Sequence, residues 1–139
     1  MIRLIFSDMD GTLLDEHGHL PAEFADIYHR LKERGIRFAP ASGRQYASLV
    51  QMFAPWRDEM LFVAENGTLV MEHDRELFSR PVERALALAV MRTGETLTGV
   101  RSVFCGKKQG YFNRVDDVSA FRAELAKYVT QSAVVEDFA

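Results

Sequence analysis

Two aspartates, Asp8 and Asp10, lie two positions apart directly after a short apolar segment near the start of the chain. Carboxylates held this close repel each other and lose hydration, so they are stable together only with a cation or a shared proton. Mg2+ suits them because it is a hard cation that prefers oxygen ligands and is common in phosphate chemistry. Gly11 lets the backbone approach a ligand, and Thr12 offers a hydroxyl and an N–H group. The pattern therefore predicts a Mg2+ site with Asp8 and Asp10 as metal ligands.

The same Asp-x-Asp-Gly spacing is also common in structural turns and in calcium-binding loops. A calcium loop of the EF-hand type is disfavoured here, because no glutamate follows at the required spacing and a predicted strand precedes the motif. A purely structural Asp-rich turn stays open as an alternative when these residues are taken alone.

A second polar segment, Ser42-Gly43-Arg44, follows the next predicted strand. In open parallel sheets, ligands bind at the carboxyl ends of neighbouring strands. We therefore expect Ser42 to face Asp8 across one crevice, with its hydroxyl and the Gly43 N–H placed to hold a phosphate oxygen. The alternative role of Ser42, as the N-cap of a helix, does not exclude the first.

The hydrophobic pattern predicts a scaffold that brings these strand ends together. Apolar runs at residues 2–7, 36–41 and 61–64 predict strands, the first of them buried on both faces. Between them, residues 24–31 and 46–53 carry apolar side chains at helical spacing. This β-α-β-α-β order predicts an α/β fold with a doubly wound parallel sheet.

The organisation changes after the third strand. Asn66-Gly67 predicts a tight hairpin, with residues 68–71 returning antiparallel and residues 77–79 adding a short strand. The elements predicted beyond it are a helix at 81–93, strands at 100–105 and 111–113, a helix that begins near residue 117 and a strand at 132–135. This second pattern predicts a smaller α+β unit, and we place the domain boundary between residues 1–80 and 81–139.

The bulk composition is that of an ordinary globular protein, with 47% hydrophobic residues, 27% charged residues and a formal net charge of -3. The longest basic cluster, Lys107-Lys108, is too short to indicate a nucleic-acid partner. No apolar run is long enough to span a bilayer. The single cysteine, Cys105, excludes an internal disulfide and favours a reducing compartment. We therefore expect a cytoplasmic protein that binds neither nucleic acid nor membrane.

The segment Phe6-Ser7-Asp8-Met9-Asp10-Gly11-Thr12-Leu13-Leu14 resembles the first motif of the haloacid dehalogenase (HAD) superfamily. Ala41-Ser42-Gly43-Arg44 is similar to its second motif. Together with Glu65-Asn66-Gly67 and the α+β unit that follows, these segments resemble the Cof-type sugar-phosphatase branch. The resemblance implies the N-terminal part of a HAD-like, Rossmann-like core over residues 1–80 and part of an inserted α+β cap over residues 81–139.

The resemblance also implies an activity, which is the Mg2+-dependent hydrolysis of small phosphate monoesters, such as sugar phosphates, through an aspartyl-phosphate. Asp8 would attack phosphorus, and Asp10 would protonate the leaving oxygen and then activate water. Mg2+ would be held by the Asp8 carboxylate and the Asp10 backbone carbonyl. The contacts to phosphate and substrate would come from Ser42, Gly43, Gly11, Thr12, Arg44 and Asn66.

The family's third motif, a lysine, and its fourth, an acidic pair, are expected beyond the cap, and no residue of this chain is assigned to either. We therefore expect the chain to be truncated within the cap, to be incomplete as an enzyme, and to self-associate through an open sheet edge. Two alternatives stay open, a non-catalytic HAD-like binding module and a phosphoacceptor receiver domain. A receiver domain is expected to carry its acceptor aspartate after the third strand, where this chain has Glu65-Asn66.

Overall fold

The computed structural model describes residues 1–138, which form two units divided after Ser79. The first unit is built on a five-stranded sheet with strand order β1-β2-β3-β4-β5. The strands are β1 (Leu4–Asp8), β2 (Arg37–Ala41), β3 (Leu61–Ala64), β4 (Leu69–Glu72) and β5 (Arg75–Ser79). The first three strands run parallel, β4 is antiparallel to β3, and β5 is antiparallel to β4. The predicted α/β class with a parallel sheet at its core is confirmed.

Two helices, α1 (Phe24–Glu33) and α2 (Tyr46–Met52), cover one face of this sheet. They are attached to it by aromatic pairs. Phe24 contacts Phe38 of β2 edge-to-face, with ring centroids 5.5 Å apart, and lies at the same centroid distance from Phe53. Phe53, at the end of α2, is fully buried and contacts Phe62 of β3. Such pairs contribute about 0.5–1.5 kcal/mol each beyond the apolar area that they bury, so they hold the strand ends in fixed relation.

β1 lies at the edge of the sheet, and the expectation of a strand buried on both faces was wrong. Ile5 packs against the aromatic core, but Phe6 on the opposite face is 57% exposed. In the part of the chain that the structure describes, no element covers that side of Phe6. An apolar run shows that a strand has two hydrophobic faces, but it does not show whether both faces have a neighbour.

The hairpin predicted at Asn66-Gly67 is present, with a loop of four residues. Ala64 pairs with Leu69, so residues 65–68 connect β3 to the antiparallel strand β4. A two-residue turn joins β4 to β5 at His73-Asp74, where φ is +50° and +57°. Asn-Gly suits the longer loop as well, because such loops also require residues with positive φ.

The second unit contains α3 (Arg84–Glu95), β6 (Val103–Cys105), β7 (Gly110–Asn113), α4 (Ser119–Leu125) and β8 (Ser132–Val135). Its sheet has the order β6-β7-β8, with an antiparallel first pair and a parallel second pair. Its core is formed by Phe112, Leu125 and Val129, and Phe112 contacts Phe121 edge-to-face at 5.3 Å. The described residues include no helix with the length and hydropathy needed to cross a bilayer.

Candidate functional site

Asp8 is the last residue of β1 and is exposed at the strand end. Its backbone is extended, and its carboxylate accepts the Met9 N–H at 2.8 Å. The turn that follows, Met9–Leu13, is closed by a hydrogen bond of 2.9 Å from the Leu14 N–H to the Met9 carbonyl. Met9 is fully buried, so it anchors the turn to the core while Asp8 stays accessible to a ligand.

The turn presents Asp10, Gly11 and Thr12, which are all exposed. Gly11 has φ +75°, in the left-handed region that favours glycine. A Cβ at Gly11 would meet open space, so the backbone conformation, and not crowding, makes glycine suitable here. The turn is therefore a loop whose backbone and side chains a small ligand can reach.

Ser42 follows β2, the strand that pairs with β1. Asp8 is in register with Ala41, so Ser42 begins the loop directly beyond the strand end at which Asp8 lies. The Ser42 N–H donates to the Val63 carbonyl at 3.0 Å, which ties this loop to β3 as well. The structure thus places Asp8 and Ser42 at the carboxyl ends of adjacent parallel strands.

The Ser42 hydroxyl oxygen accepts the Arg44 N–H at 3.1 Å. Ser42 is not the helix N-cap that the sequence left open, because α2 begins at Tyr46 and Gln45 occupies the cap position. A hydroxyl that accepts one hydrogen bond still carries a hydrogen to donate. The Ser42 side chain is therefore held in place by the loop and keeps a donor for a ligand oxygen.

Arg44 extends from the second loop to the first and binds Asp10. Its Nη2 lies 2.6 Å from Oδ1 of Asp10 and its Nε lies 3.1 Å from Oδ2, which is a two-point contact between guanidinium and carboxylate. The Arg44 side chain is 13% exposed and that of Asp10 is 53% exposed. The hydrogen bond from Arg44 lowers the pKa of Asp10, burial opposes this shift, and the charge of Arg44 adds to it.

The turn after β3 is strained. Glu65, Asn66 and Gly67 have φ of +53°, +55° and +86°, so two non-glycine residues in succession adopt the left-handed region. Such conformations cost about 1–3 kcal/mol each and persist where the surroundings hold them in place. Here the Glu65 N–H donates to the Arg44 carbonyl and the Asn66 N–H donates to the Ser42 carbonyl, each at 3.1 Å. The strained turn is therefore tied to the Ser42–Arg44 loop.

The Asn66 side chain lies over Gly43. A Cβ built on Gly43 would be 2.9 Å from Asn66 Oδ1 and 3.2 Å from Nδ2, closer than ordinary side-chain contacts. Glycine at position 43 thus leaves room for the amide of Asn66. The structure brings these two predicted site residues together at the carboxyl ends of the strands, where Ser42 also lies.

Glu65 and Gln45 form a pair that sequence reasoning did not identify as part of the site. Burial raises the pKa of the half-buried Glu65 carboxyl, and a hydrogen bond from the Gln45 side chain opposes the shift. Glu65 was noted in the sequence only as part of a motif. Nothing in the spacing of the chain marks Gln45, a buried residue whose partner becomes visible only once β2 and β3 are adjacent.

The donor set at the end of β1 consists of hard oxygen atoms from Asp8 and Asp10, which is the ligand type that Mg2+ prefers. The Asp10 carboxylate is already paired with Arg44. Within residues 1–138, no group of three or more His, Cys, Asp or Glu side chains is gathered to hold a metal ion. The residues therefore fit Mg2+ by chemistry and supply only a small number of ligands.

The sequence matches the family model described as haloacid dehalogenase-like hydrolase over residues 5–138. The 5-amino-6-(5-phospho-D-ribitylamino)uracil phosphatase YbjI of Escherichia coli K12 is 34% identical over 139 residues, which cover 99% of this chain and 51% of that protein. The HMP-PP phosphatase of Cronobacter sakazakii is 35% identical over 92 residues, or 66% of this chain and 34% of that protein.

Among solved structures, SMU.1108c from Streptococcus mutans superimposes with a TM-score of 0.88 at 26% identity. The match covers 99% of this chain and 52% of that protein. The chain thus spans about half the length of the E. coli relative and of this structural neighbour. The fold that the strand order indicates is confirmed by this superposition.

Proposed function

The chain belongs to the haloacid dehalogenase-like hydrolase family, and we propose on that basis that it carries the nucleophilic centre of a phosphatase for small phosphate monoesters. The observation that carries the proposal is the convergence of Asp8, Ser42 and the Arg44–Asp10 pair at one edge of a parallel sheet. The names of the E. coli and C. sakazakii relatives, both phosphatases of phosphorylated metabolites, support the same class of substrate. The motifs of the Cof-type branch favour a sugar phosphate or a similar metabolite.

In the proposed mechanism, Asp8 attacks phosphorus in line with the leaving oxygen. The P–O bond to the leaving group breaks, Asp10 gives its proton to that oxygen, and an aspartyl-phosphate remains on Asp8. Water then attacks phosphorus, Asp10 takes its proton, and phosphate and free Asp8 are released. A carboxylate nucleophile divides one difficult displacement into two easier ones, and Asp10 serves as acid in the first and as base in the second.

Mg2+ is the proposed cofactor, held by the Asp8 carboxylate and the Asp10 backbone carbonyl. When bound, it would neutralise negative charge on the carboxylate and on the phosphoryl oxygens. The Ser42 hydroxyl is proposed to donate to a phosphoryl oxygen. The other proposed contacts to phosphate or substrate are Gly11, Thr12, Gly43 and Asn66, and Arg44 lines the site beside them.

The proposed family role also assigns each part of the chain to a domain. We assign residues 1–80 to the N-terminal part of the HAD-like core and residues 81–139 to part of an α+β cap. The proposed partner is a small phosphorylated metabolite in the cytoplasm, with no role for nucleic acid or membrane. Self-association through the β1 edge is proposed as well, because an edge strand leaves unpaired backbone groups that can bind another chain.

A second candidate function is a non-catalytic binding module built on the same strand ends, with the Ser42 hydroxyl as its hydrogen-bond donor to phosphate. Such a module would bind phosphate without turning over an ester. The receiver-domain alternative is set aside, because the chain belongs to a hydrolase family.

The two candidates are separated by turnover of a generic aryl phosphate, measured with Mg2+ and with EDTA. The assay uses the 139-residue chain and any longer natural form that contains it. The phosphatase proposal expects Mg2+-dependent turnover in at least one of these forms, and weak or no turnover in the short chain. Phosphate binding without turnover in every form would contradict it and support the binding module.

A further inference from the structure

Arg44 is held by hydrogen bonds of its backbone and of its guanidinium group. Its backbone N–H donates to the Ser42 hydroxyl at 3.1 Å, and its carbonyl accepts the Glu65 N–H at 3.1 Å. Because Glu65 lies in the strained left-handed turn, the loop that carries Arg44 is held by an element with little conformational freedom. At the other end, the guanidinium makes its two-point contact with Asp10.

The geometry of this contact suits arginine and not lysine. A guanidinium is planar and presents its N–H groups as a fork that matches the two oxygens of a carboxylate. A lysine ammonium is a point charge and does not fix the plane of its partner. Asp10 is itself 53% exposed on an irregular turn, so the arginine fork is the contact that sets the orientation of its carboxylate.

We propose that Arg44 is a positioning residue, which holds the Asp10 carboxylate in one orientation at the carboxyl ends of the parallel strands. Arg44 is then not a principal ligand of the phosphoryl group. The inference rests on the proposed function, because the value of a fixed Asp10 lies in its proton transfer. It deepens that function by giving Arg44 a role distinct from those of Ser42 and Gly43. A misplaced acid–base group is costly, since displacement by about 1 Å can reduce a rate by roughly a hundredfold.

The test compares Arg44→Lys and Arg44→Gln with Arg57→Gln as a matched control. Arg57 pairs with Asp74 in the same unit, but at residues that are not part of the site. Side-chain 15N NMR of the 139-residue chain first shows whether the Arg44 guanidinium is bound to the Asp10 carboxylate. The expected result is a protected Arg44 Nε–H signal that is lost in Asp10→Asn and unchanged in Arg57→Gln. An Arg44 signal that does not respond to Asp10→Asn would overturn the proposal.

Two further measurements distinguish positioning from ligand binding. Titration with inorganic phosphate should give the same affinity, within about twofold, in wild type and Arg44→Gln. In the form that turns over an aryl phosphate, kcat should fall by about tenfold or more in Arg44→Gln with KM nearly unchanged, and Arg44→Lys should recover only part of the loss. Weaker phosphate binding or a raised KM as the main effect would make Arg44 a phosphate ligand and overturn the proposal.

Failure of the proposed function gives a different result. If no form of wild type turns over an ester, the phosphatase proposal is contradicted. The role of Arg44 is then decided by the NMR signal and the phosphate titration, neither of which needs turnover. Thermal unfolding of each variant shows whether a change arises from loss of the fold.

Discussion

The Asn66 amide lies over Gly43 at a distance that leaves no room for a Cβ at position 43. This contact joins the loop after β2 to the strained turn after β3. Together with the backbone hydrogen bonds of Glu65 and Asn66, it makes the two loops one structural unit. The site therefore depends on two strand ends that were placed side by side by the parallel sheet.

Gly43→Ala should destabilise the chain, because the new methyl group must displace the Asn66 amide. The cost should lie at or below the low end of the roughly 1–3 kcal/mol that overpacking usually costs in the free energy of unfolding, because the contacted atoms are the end of a side chain that can shift. In an Asn66→Gly background the cost should be smaller by at least about 0.5 kcal/mol, since the contacted side chain is absent. Urea unfolding of both single variants and the double variant measures this coupling. Additive effects, within about 0.3 kcal/mol, would show that the contact does not exist in solution.

Glu65→Gln should stabilise the protein at neutral pH. Burial raises the pKa of the Glu65 carboxyl above its ordinary value. A carboxyl whose pKa is raised by folding contributes fully to stability below its pKa in the unfolded chain. That contribution is lost as pH rises through its pKa in the folded chain. The melting temperature of Glu65→Gln should therefore exceed that of wild type at pH 7, and the difference should vanish below about pH 4.

Glu59→Gln is the matched control, and its expected change in melting temperature at pH 7 has the opposite sign to that of Glu65→Gln. The hydrogen bond from Lys32 lowers the pKa of Glu59, so its contribution is present above the unfolded pKa and is lost as pH falls through the folded pKa. Glu59→Gln should lower the melting temperature at pH 7, with a difference that shrinks on acidification. If both variants shift stability in the same direction at pH 7, the environment assigned to Glu65 is wrong.

The residues that converge on the site were largely predictable, because their positions follow from strand ends. Asp8 and Ser42 each come directly after an apolar run, and parallel strands bring such ends to one edge. The Arg44–Asp10 pair was not predictable in the same way. It depends on the path of an irregular turn and on the reach of a long side chain, neither of which leaves a periodic signal.

The edge position of β1 shows a second limit of the sequence. Phe6 has the apolar character of a buried strand residue, yet it is 57% exposed. Local pattern reports how a residue would pack, whereas the order of strands depends on every other element of the sheet. For the same reason Asn66-Gly67 indicates a hairpin but does not give the length of its loop, which spans residues 65–68.

The exposed β1 edge leads to a prediction about assembly. The chain should associate as its concentration rises, and Phe6→Lys should shift it toward the monomer, because lysine on an edge strand opposes pairing with another chain. Phe78→Lys is the control, since Phe78 is 49% exposed on β5 at the other edge of the sheet. Sedimentation velocity measures the effect. A monomeric wild type, or an equal effect of both substitutions, would contradict a role for the β1 edge.

Mg2+ should bind weakly to the 139-residue chain, with a dissociation constant on the order of millimolar or above, since few protein oxygens replace the waters of the ion. Asp8→Asn should weaken binding further, whereas Asp26→Asn on the exposed side of α1 should leave it unchanged. Titration followed by NMR reports both the affinity and the residues that shift. Micromolar binding that survives Asp8→Asn would place the metal site elsewhere.

The proposed role of Asp8 as nucleophile can be tested by trapping the acyl phosphate during turnover of an aryl phosphate with Mg2+. Borohydride reduces an aspartyl-phosphate to homoserine, and peptide mass spectrometry then identifies the modified position. If Asp8 is the nucleophile, homoserine should be found at residue 8 and nowhere else, and both the modification and the turnover should be abolished in Asp8→Asn. Turnover of Asp8→Asn within a few-fold of wild type, or homoserine at another aspartate, would contradict it.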